Sequence, residues 1–592
     1  WAPELVRDNH HVDPPATPEE GYHLTEDLVD ETIRMIQDQQ QATTRKPFFA
    51  YLATGAAHAP HQVTPEWVEP YRGAFDHGWG AYREEVFARQ VAAGVVPEDT
   101  VLTPRPAWVP EWSTLSADQQ RLYARYMEVF AGFMTHTDHH LGRLFDFLEE
   151  IGVAEDTVVM ILSDNGASAE GGPTGTPNEA AGWIGLQADE ETALGQIEDL
   201  GGHDASNHYP WGWAWAGNTP LRLWKRYSWL GGVRAPLVLR WPSAVPDPGA
   251  VRGQFTHAVD LFPTILEAAG AVVPEAVDGV DQQPVDGTSF LASLRDGDAA
   301  EHRRMQSFEM MGSRSLYLDG WKAVTDHVAN QFGEREHLTG SFDHATDTWS
   351  LFDLRTDFSE HHDLAAEHPD LVRRMEGLWW AEAGRNQVLP LFEFPNSMLH
   401  LHPGEFPPPQ EATYRPGGSP VIEPMLPAGG GFSLRAHLDV PDAHAEGVLA
   451  AIGDSQGGWG LYLLDGRPTA CFALLDHTDR VQSEVAVGPG SHVVGLDFRP
   501  ADADGPQRLD LSIDEEVVAT GPVRGTFFLP QLSSAAVGLT IGHDRGLPLC
   551  SDYATPFPFT GDLDRVVMRS GTGATFEVPT EEKRVRAAMS GD

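Results

Sequence analysis

Between Val158 and Gly172 the sequence reads VVMILSDNGASAEGG, an apolar run that ends abruptly in an acid, an amide and a glycine. Asp164 and Asn165 place a carboxylate beside an amide carbonyl, an oxygen pair that suits Ca²⁺ or Mg²⁺ better than zinc. The same three residues are good turn chemistry, and taken alone they leave both readings open. Two oxygens would in any case not complete a shell of about six. His58, in the small-residue loop that ends KPFFAYLATGAAHAPH, is a second candidate: an imidazole can give or take a proton near neutral pH. Lys225 is a third, one of the few lysines in a chain whose positive charge is mostly arginine. His203 and His208, with Trp211, Trp213 and Trp215, could wall a pocket for an aryl or sugar group, and a packed aromatic loop explains them equally well. His136, His139 and His140 sit on one predicted helix with no partner motif, so no metal is expected there.

The elements around these residues predict an α/β core. A helical stretch over TEDLVDETIRMIQDQQQ is followed by KPFFAYL as an aromatic-rich strand. Leu122, Tyr126, Val129, Phe133, Thr137, Leu141, Leu144 and Leu148 recur at helical spacing, Gly152 stops that helix, and TVVMILSDNG follows at once as a strand. Continuous apolar strands alternating with helices predict a mostly parallel sheet flanked by helices, buried on both faces. Ligands of such sheets bind beyond the carboxyl ends of strands, where Asp164, Asn165 and His58 all fall.

The expected organisation is a core over residues 1–304, a small α+β unit over 305–394 with an Asp319-Gly320 hairpin turn, and a Pro/Gly-rich linker over 395–431. Short alternating strands then predict an antiparallel β-sandwich over 432–572, with Asp465-Gly466 as an internal turn, and a tail over 573–592. A length of 592 residues fits several domains. With 87 acidic against 40 basic residues the net charge is -47, which argues against nucleic acid and anionic lipid as partners. No apolar run is long enough to span a bilayer, so no membrane partner is expected. Cys471 and Cys550, far apart in sequence, read as ordinary buried small residues rather than a disulfide framework.

The segments KPFFAYLATGAAHAPH, TDHHLGRLFDFLEEIG, TVVMILSDNGASAEGG, HYPWGWAWAGNTPLRLWKRYSWLGGVRAPLVLRWP and HAVDLFPTILEAAG, with the stretch WSLFDLRTD onward to about Leu391, resemble the sulfatase family, in particular the arylsulfatases of the alkaline phosphatase superfamily. The terminal sandwich resembles the concanavalin-like or laminin-G-like module carried by some of these enzymes. The resemblance implies hydrolysis of an aryl or sugar sulfate ester. It makes Asp164 and Asn165 half of a calcium shell, His58 the acid that protonates the leaving alcohol, and Lys225 a contact to the sulfate. It also implies a formylglycine nucleophile made by a formylglycine-generating enzyme. The family's paired aspartates, its Cys/Ser-x-Pro-x-Arg motif and its Gly-Lys-x-x-His context do not occur in this sequence. The expectation is therefore a sulfatase lacking its amino-terminal part, inactive alone. A phosphodiesterase or phosphonate monoester hydrolase of the same superfamily, or a non-catalytic binding protein on a sulfatase core, are the alternatives. The compartment is not legible, with a cytoplasmic one slightly favoured over a periplasmic or secreted one.

Overall fold

The computed structural model describes residues 3, 5–43, 46–179, 188–328, 339–389, 391, 411–417, 431–455, 457–474, 477–499, 507–523 and 538–570. Most of the expected linker and all of the expected tail lie outside these residues.

Three long helices organise the core. The first, α1 (Leu24–Ala42), starts where His23 caps it by accepting the Thr25 N–H on Nδ1. Its Val29 and Ile36 pack with Leu144, Phe147 and Leu148 of the third helix. The second, α2 (Gly78–Ala92), carries Arg83, which is buried and donates to the carbonyls of Trp215, Pro220 and Leu221 and to the Thr103 hydroxyl. The 34-residue α3 (Ala117–Glu150) begins at a Ser116/Gln119 capping box. It ends at Gly152, whose φ of 73° is cheap only for glycine. Seven of its eight predicted inward positions are buried, and Leu141 is half-buried.

Strand β1 (Val159–Leu162) carries the apolar run before Asp164 and pairs with β2 (Leu237–Arg240). The pairing is antiparallel, Val159 facing Arg240 and Leu162 facing Leu237, so the expected parallel order is not found among the described residues. Nor is β1 buried on both faces, because nothing described covers its outer side: Ile161 and Val238 are 42% and 60% exposed. The predicted strand over KPFFAYL is likewise not one, since among the described residues no strand pairs with its backbone. Its side chains still alternate, Phe48 and Leu52 packing inward while Phe49 and Tyr51 face out.

The small unit is an antiparallel meander of β3 (Met305–Met310), β4 (Ser313–Leu318), β5 (Trp321–Thr325) and β6 (Trp349–Asp353), covered by α4 (Pro369–Arg385). Asp319 and Gly320 make its central hairpin with positive φ at both residues. Leu316, Ala323, Leu351, Met375 and Trp379 form its core.

Among the described residues the sandwich has two antiparallel sheets of six and five strands. The turn at Asp465-Gly466 again has positive φ at both residues. Glu411–Tyr414, assigned to the linker by composition, is instead an edge strand, paired with Asp562–Ser570. Its short run of alternating half-buried side chains was hidden by the prolines around it. Cys471 and Cys550, distant in sequence, meet in one buried cluster where the Tyr462 hydroxyl lies 3.5 Å from Cys550 Sγ; both are free thiols. Among the described residues no helix is long and apolar enough to cross a membrane.

Candidate functional site

Lys225 is presented by a turn whose non-glycine residues Leu223 and Arg226 both have left-handed backbone, φ 61° and 84°. Such conformations persist only where surrounding contacts enforce them. Here the Lys225 N–H donates to Ala167 O at 3.0 Å, the Gly231 N–H to Arg222 O at 3.0 Å, and the Asn218 amide to Leu223 O at 2.9 Å. Asn218 Oδ1 in turn accepts the Ala167 N–H at 2.9 Å, so one side chain ties the lysine turn to the loop that follows Asp164 and Asn165.

Glycines let the two loops touch. The Gly166 N–H donates to Gly232 O at 3.0 Å, and a Cβ on Gly166 would stand 1.7 Å from Gly231 O. A Cβ on Gly231 or Gly232 would meet Arg222 O at 2.1 Å or Tyr227 O at 1.9 Å. Backbone cannot yield as a side chain would, so Gly166→Ala should cost about 1–3 kcal/mol or more of stability, read as a lower urea midpoint. An unchanged midpoint would show that the loops do not meet as described.

The ammonium of Lys225 lies 3.0 Å from Glu170 Oε2 and 3.2 Å from His58 Nε2. His58 Nε2 is itself 3.6 Å from Glu170 Oε2. On its other side His58 Nδ1 is 2.7 Å from Ala59 O, which can only accept, so Nδ1 carries the proton and Nε2 presents a lone pair to the lysine. Beneath them, Ser168 Oγ bonds Glu170 Oε2 and lies 2.9 Å from His208 Nε2, while His208 Nδ1 donates to Tyr209 O at 3.0 Å.

Charge states follow from these contacts. Burial pushes the Glu170 carboxyl up, but the Lys225 charge and the Ser168 and Lys225 hydrogen bonds outweigh it and hold it at about 2. Glu179, 5% exposed, is raised to about 7 by burial and by the Glu170 charge. His208 is brought down to about 4, chiefly by burial, and His61 well below its ordinary value for the same reason. These two histidines are thus neutral in the folded protein, whereas in the unfolded chain they take up protons near pH 6.5. Their contribution is intact above about pH 6.5 and is lost as pH falls through 6.5 toward 4, about 3 kcal/mol for His208 alone. Glu179 acts oppositely, its contribution fading as pH rises from about 4.5 to 7. Urea midpoints measured from pH 7 to 4 should fall, and fall less in His208→Gln.

Of the residues singled out in the sequence, His58 and Lys225 are brought into contact, and Asp164 and Asn165 stand in the adjoining loop. Asp164 is exposed; the Asn165 amide donates to Gly166 O, which leaves its Oδ1 for another partner. This pair fits a hard cation in donor type while supplying two of the six or more oxygens Ca²⁺ takes. Trp211 and Trp213 are not pocket walls: each is 1% exposed, their indole N–H groups donating to Ala169 O and Tyr123 O, because a tryptophan this enclosed finds its polar partner in the backbone. Trp215 is similarly enclosed under Arg83, and His203 pairs with Asp204 at 3.1 Å at the surface. His208 lies buried below the site rather than lining it. Glu170, Ser168, Glu179 and Asn218 were missed in the sequence, where the only signal was the position of Ser168 and Glu170 within six residues of Asp164.

Residues 2–271 match the sulfatase family model, and residues 222–376 match the carboxyl-terminal domain of N-sulphoglucosamine sulphohydrolase. An uncharacterized sulfatase of Schizosaccharomyces pombe is 28% identical over 58% of this chain and 59% of its own length. An arylsulfatase of Klebsiella aerogenes is 27% identical over 44% of this chain and 54% of its own. The chain thus spans little more than half the length of these curated relatives. A solved structure, BT4656 in complex with its substrate D-glucosamine-2-N,6-O-disulfate, is 16% identical over 67% of this chain and 75% of that one, with a TM-score of 0.40, too low to carry an argument. Residues 2–271, which hold the DNG loop and the lysine turn, form a sulfatase-family domain, and the matched carboxyl-terminal domain continues to residue 376.

Proposed function

We propose that the site in this chain serves, in the intact protein, the hydrolysis of sulfate esters of small aryl or sugar alcohols, as in an arylsulfatase-type enzyme. The observation that carries the reading is the convergence of Lys225 and His58, 3.2 Å apart, beside the Asp164-Asn165 loop in a sulfatase-family chain. A sulfate ester presents anionic oxygens and one bridging oxygen that gains charge as the S–O bond breaks. The Lys225 ammonium neutralises that charge from a turn already locked in place, so little reorganisation is needed. With its Nδ1–H fixed on Ala59 O, His58 directs Nε2 at the same point; once the sulfate draws the ammonium away, Nε2 takes up a proton from solvent and passes it to the leaving alcohol. Glu170 holds the ammonium beside His58 before substrate arrives and yields it to the sulfate.

Asp164 and Asn165 would hold Ca²⁺, which supplies Lewis-acid polarisation of a sulfate oxygen when bound. The nucleophile is read as formylglycine, matured by a formylglycine-generating enzyme, and its motif has no counterpart in these 592 residues. The test therefore uses the complete gene product, co-expressed with that enzyme and assayed on a generic aryl sulfate. Turnover should require Ca²⁺, and His58→Ala should lower kcat by about 10²–10⁴-fold. Turnover indifferent to both the metal and His58 would overturn the reading.

A further inference from the structure

A second set of metal-type ligands lies on α3, outside the Lys225 network. His136 and His140 are one turn apart, so they share a face, and their ring centroids are 4.3 Å apart. That face packs against α1, whose first turn brings Glu26. One ligand atom from each of Glu26, His136 and His140 lies within 4.8 Å of the others. His136 and His140 stand out in the sequence but lack a partner motif there, because the third member comes from a helix about 110 residues earlier.

His136 supplies an independent observation. It is 4% exposed, and its Nδ1 is buried with no hydrogen-bond partner. An unmet imidazole nitrogen in a protein interior is costly, and a cation would meet it. The neighbouring His23 is not a ligand, since its Nδ1 accepts from Thr25 and its Nε2 donates to Gln62 O; its ring, 4.1 Å from that of His136, walls the site. Trp67 stands edge-on to His136 on another side. The half-exposed Arg143 now serves part of the cation's role: it donates to His140 Nδ1 at 2.9 Å, pairs with Asp30 and comes within 3.9 Å of Glu26. It can release His140 while keeping Asp30.

We propose that Glu26, His136 and His140 bind one zinc-type divalent transition ion that staples α1 to α3. Two imidazoles and a carboxylate favour Zn²⁺ or Co²⁺ over Ca²⁺, and three protein ligands leave the fourth position to water. Bonds of about 2.0–2.1 Å in a tetrahedron draw the ligand atoms to about 3.3 Å apart, a closure that the exposed Glu26 and a displaced Arg143 allow. The site's chemistry differs from that read for Asp164 and Asn165, where both donors are oxygens.

The experiment titrates Co²⁺ into the chelator-stripped chain and follows the visible absorption of the tetrahedral ion. One equivalent should bind, be displaced by Zn²⁺ and not by Ca²⁺, and Zn²⁺ should raise Tm. Because Glu26 is exposed, E26Q keeps the packing, checked by an unchanged metal-free Tm. It should weaken Co²⁺ binding by at least the roughly 10–100-fold that loss of a mere outer-shell partner costs. R143A, which removes the competing guanidinium, should bind as tightly or more tightly. Absence of the tetrahedral band, or a band and Tm shift unchanged in E26Q, overturns the proposal.

Discussion

Lys225→Met should lower kcat/KM on an aryl sulfate by about 10²–10³-fold in the complete enzyme, the usual effect of removing one preorganised donor to a developing oxyanion. The ammonium is 15% exposed and sits on a backbone turn held by Ala167, Asn218 and Arg222, so no other cation takes its place without rebuilding the turn. The substitution also changes its neighbours. Glu170, held at about 2 largely by Lys225 against a burial that raises it, should titrate higher once the ammonium is gone. The variant should thus lose rate at every pH and also acquire a new acid-side dependence. Lys225→Arg should rescue poorly, because a planar guanidinium cannot reach Glu170 and His58 from the position of one nitrogen. A Lys225→Met enzyme within tenfold of wild type would remove the lysine from the chemistry.

Glu360→Ala should cost about 3–5 kcal/mol of stability, because it leaves a buried ammonium without its counter-ion. Lys322 and Glu360 form an ion pair with side chains 2% and 0% exposed. The second oxygen of Glu360 accepts the Leu230 N–H at 2.7 Å, and Lys322 also donates to Ser228 O at 2.8 Å. Ser228 is further held by Ser313 and Ser315 of β4. The small unit therefore clamps, through one buried pair, the segment just after Lys225. Burial pushes Lys322 down and the Glu360 charge pushes it back, so the ammonium depends on its partner. Replacing both, as Lys322→Met with Glu360→Leu, should recover part of the loss, since a buried pair exchanged for apolar side chains is often near neutral. Urea denaturation measures each term; a single-variant cost under 1 kcal/mol would show that the pair is solvated.

Where local chemistry decides structure, the sequence was readable. Asp319-Gly320 and Asp465-Gly466 announce hairpins because each turn requires positive φ, and Gly152 announces a helix end for the same reason. The alternation in FSLRAHLDV survives as a strand buried at every second residue. Pairing direction was not readable: the runs at 159–162 and 237–239 are apolar throughout, and periodicity does not say which way a neighbour points. In the site, Asp164, Asn165, His58 and Lys225 were visible as residue types at chain turns. The carboxylate that joins Lys225 and His58 was not, because Glu170 acquires its role only when the Gly166–Gly232 contact folds its loop against the lysine. Trp211 and Trp213 misled for a related reason, as an aromatic-rich loop reads alike whether it lines a cavity or fills one.

On the proposed function, the site is built for a sulfate ester rather than a phosphodiester. The most direct measurement compares kcat/KM of the complete, matured, Ca²⁺-loaded protein on p-nitrophenyl sulfate and on bis-p-nitrophenyl phosphate, with Lys225→Met beside it. A clear preference for the sulfate that collapses in the variant is the predicted result. Preference for the phosphodiester would transfer the same His58–Lys225 geometry to phosphoryl chemistry, and no turnover of either ester with the nucleophile in place would leave a binding protein on a sulfatase core.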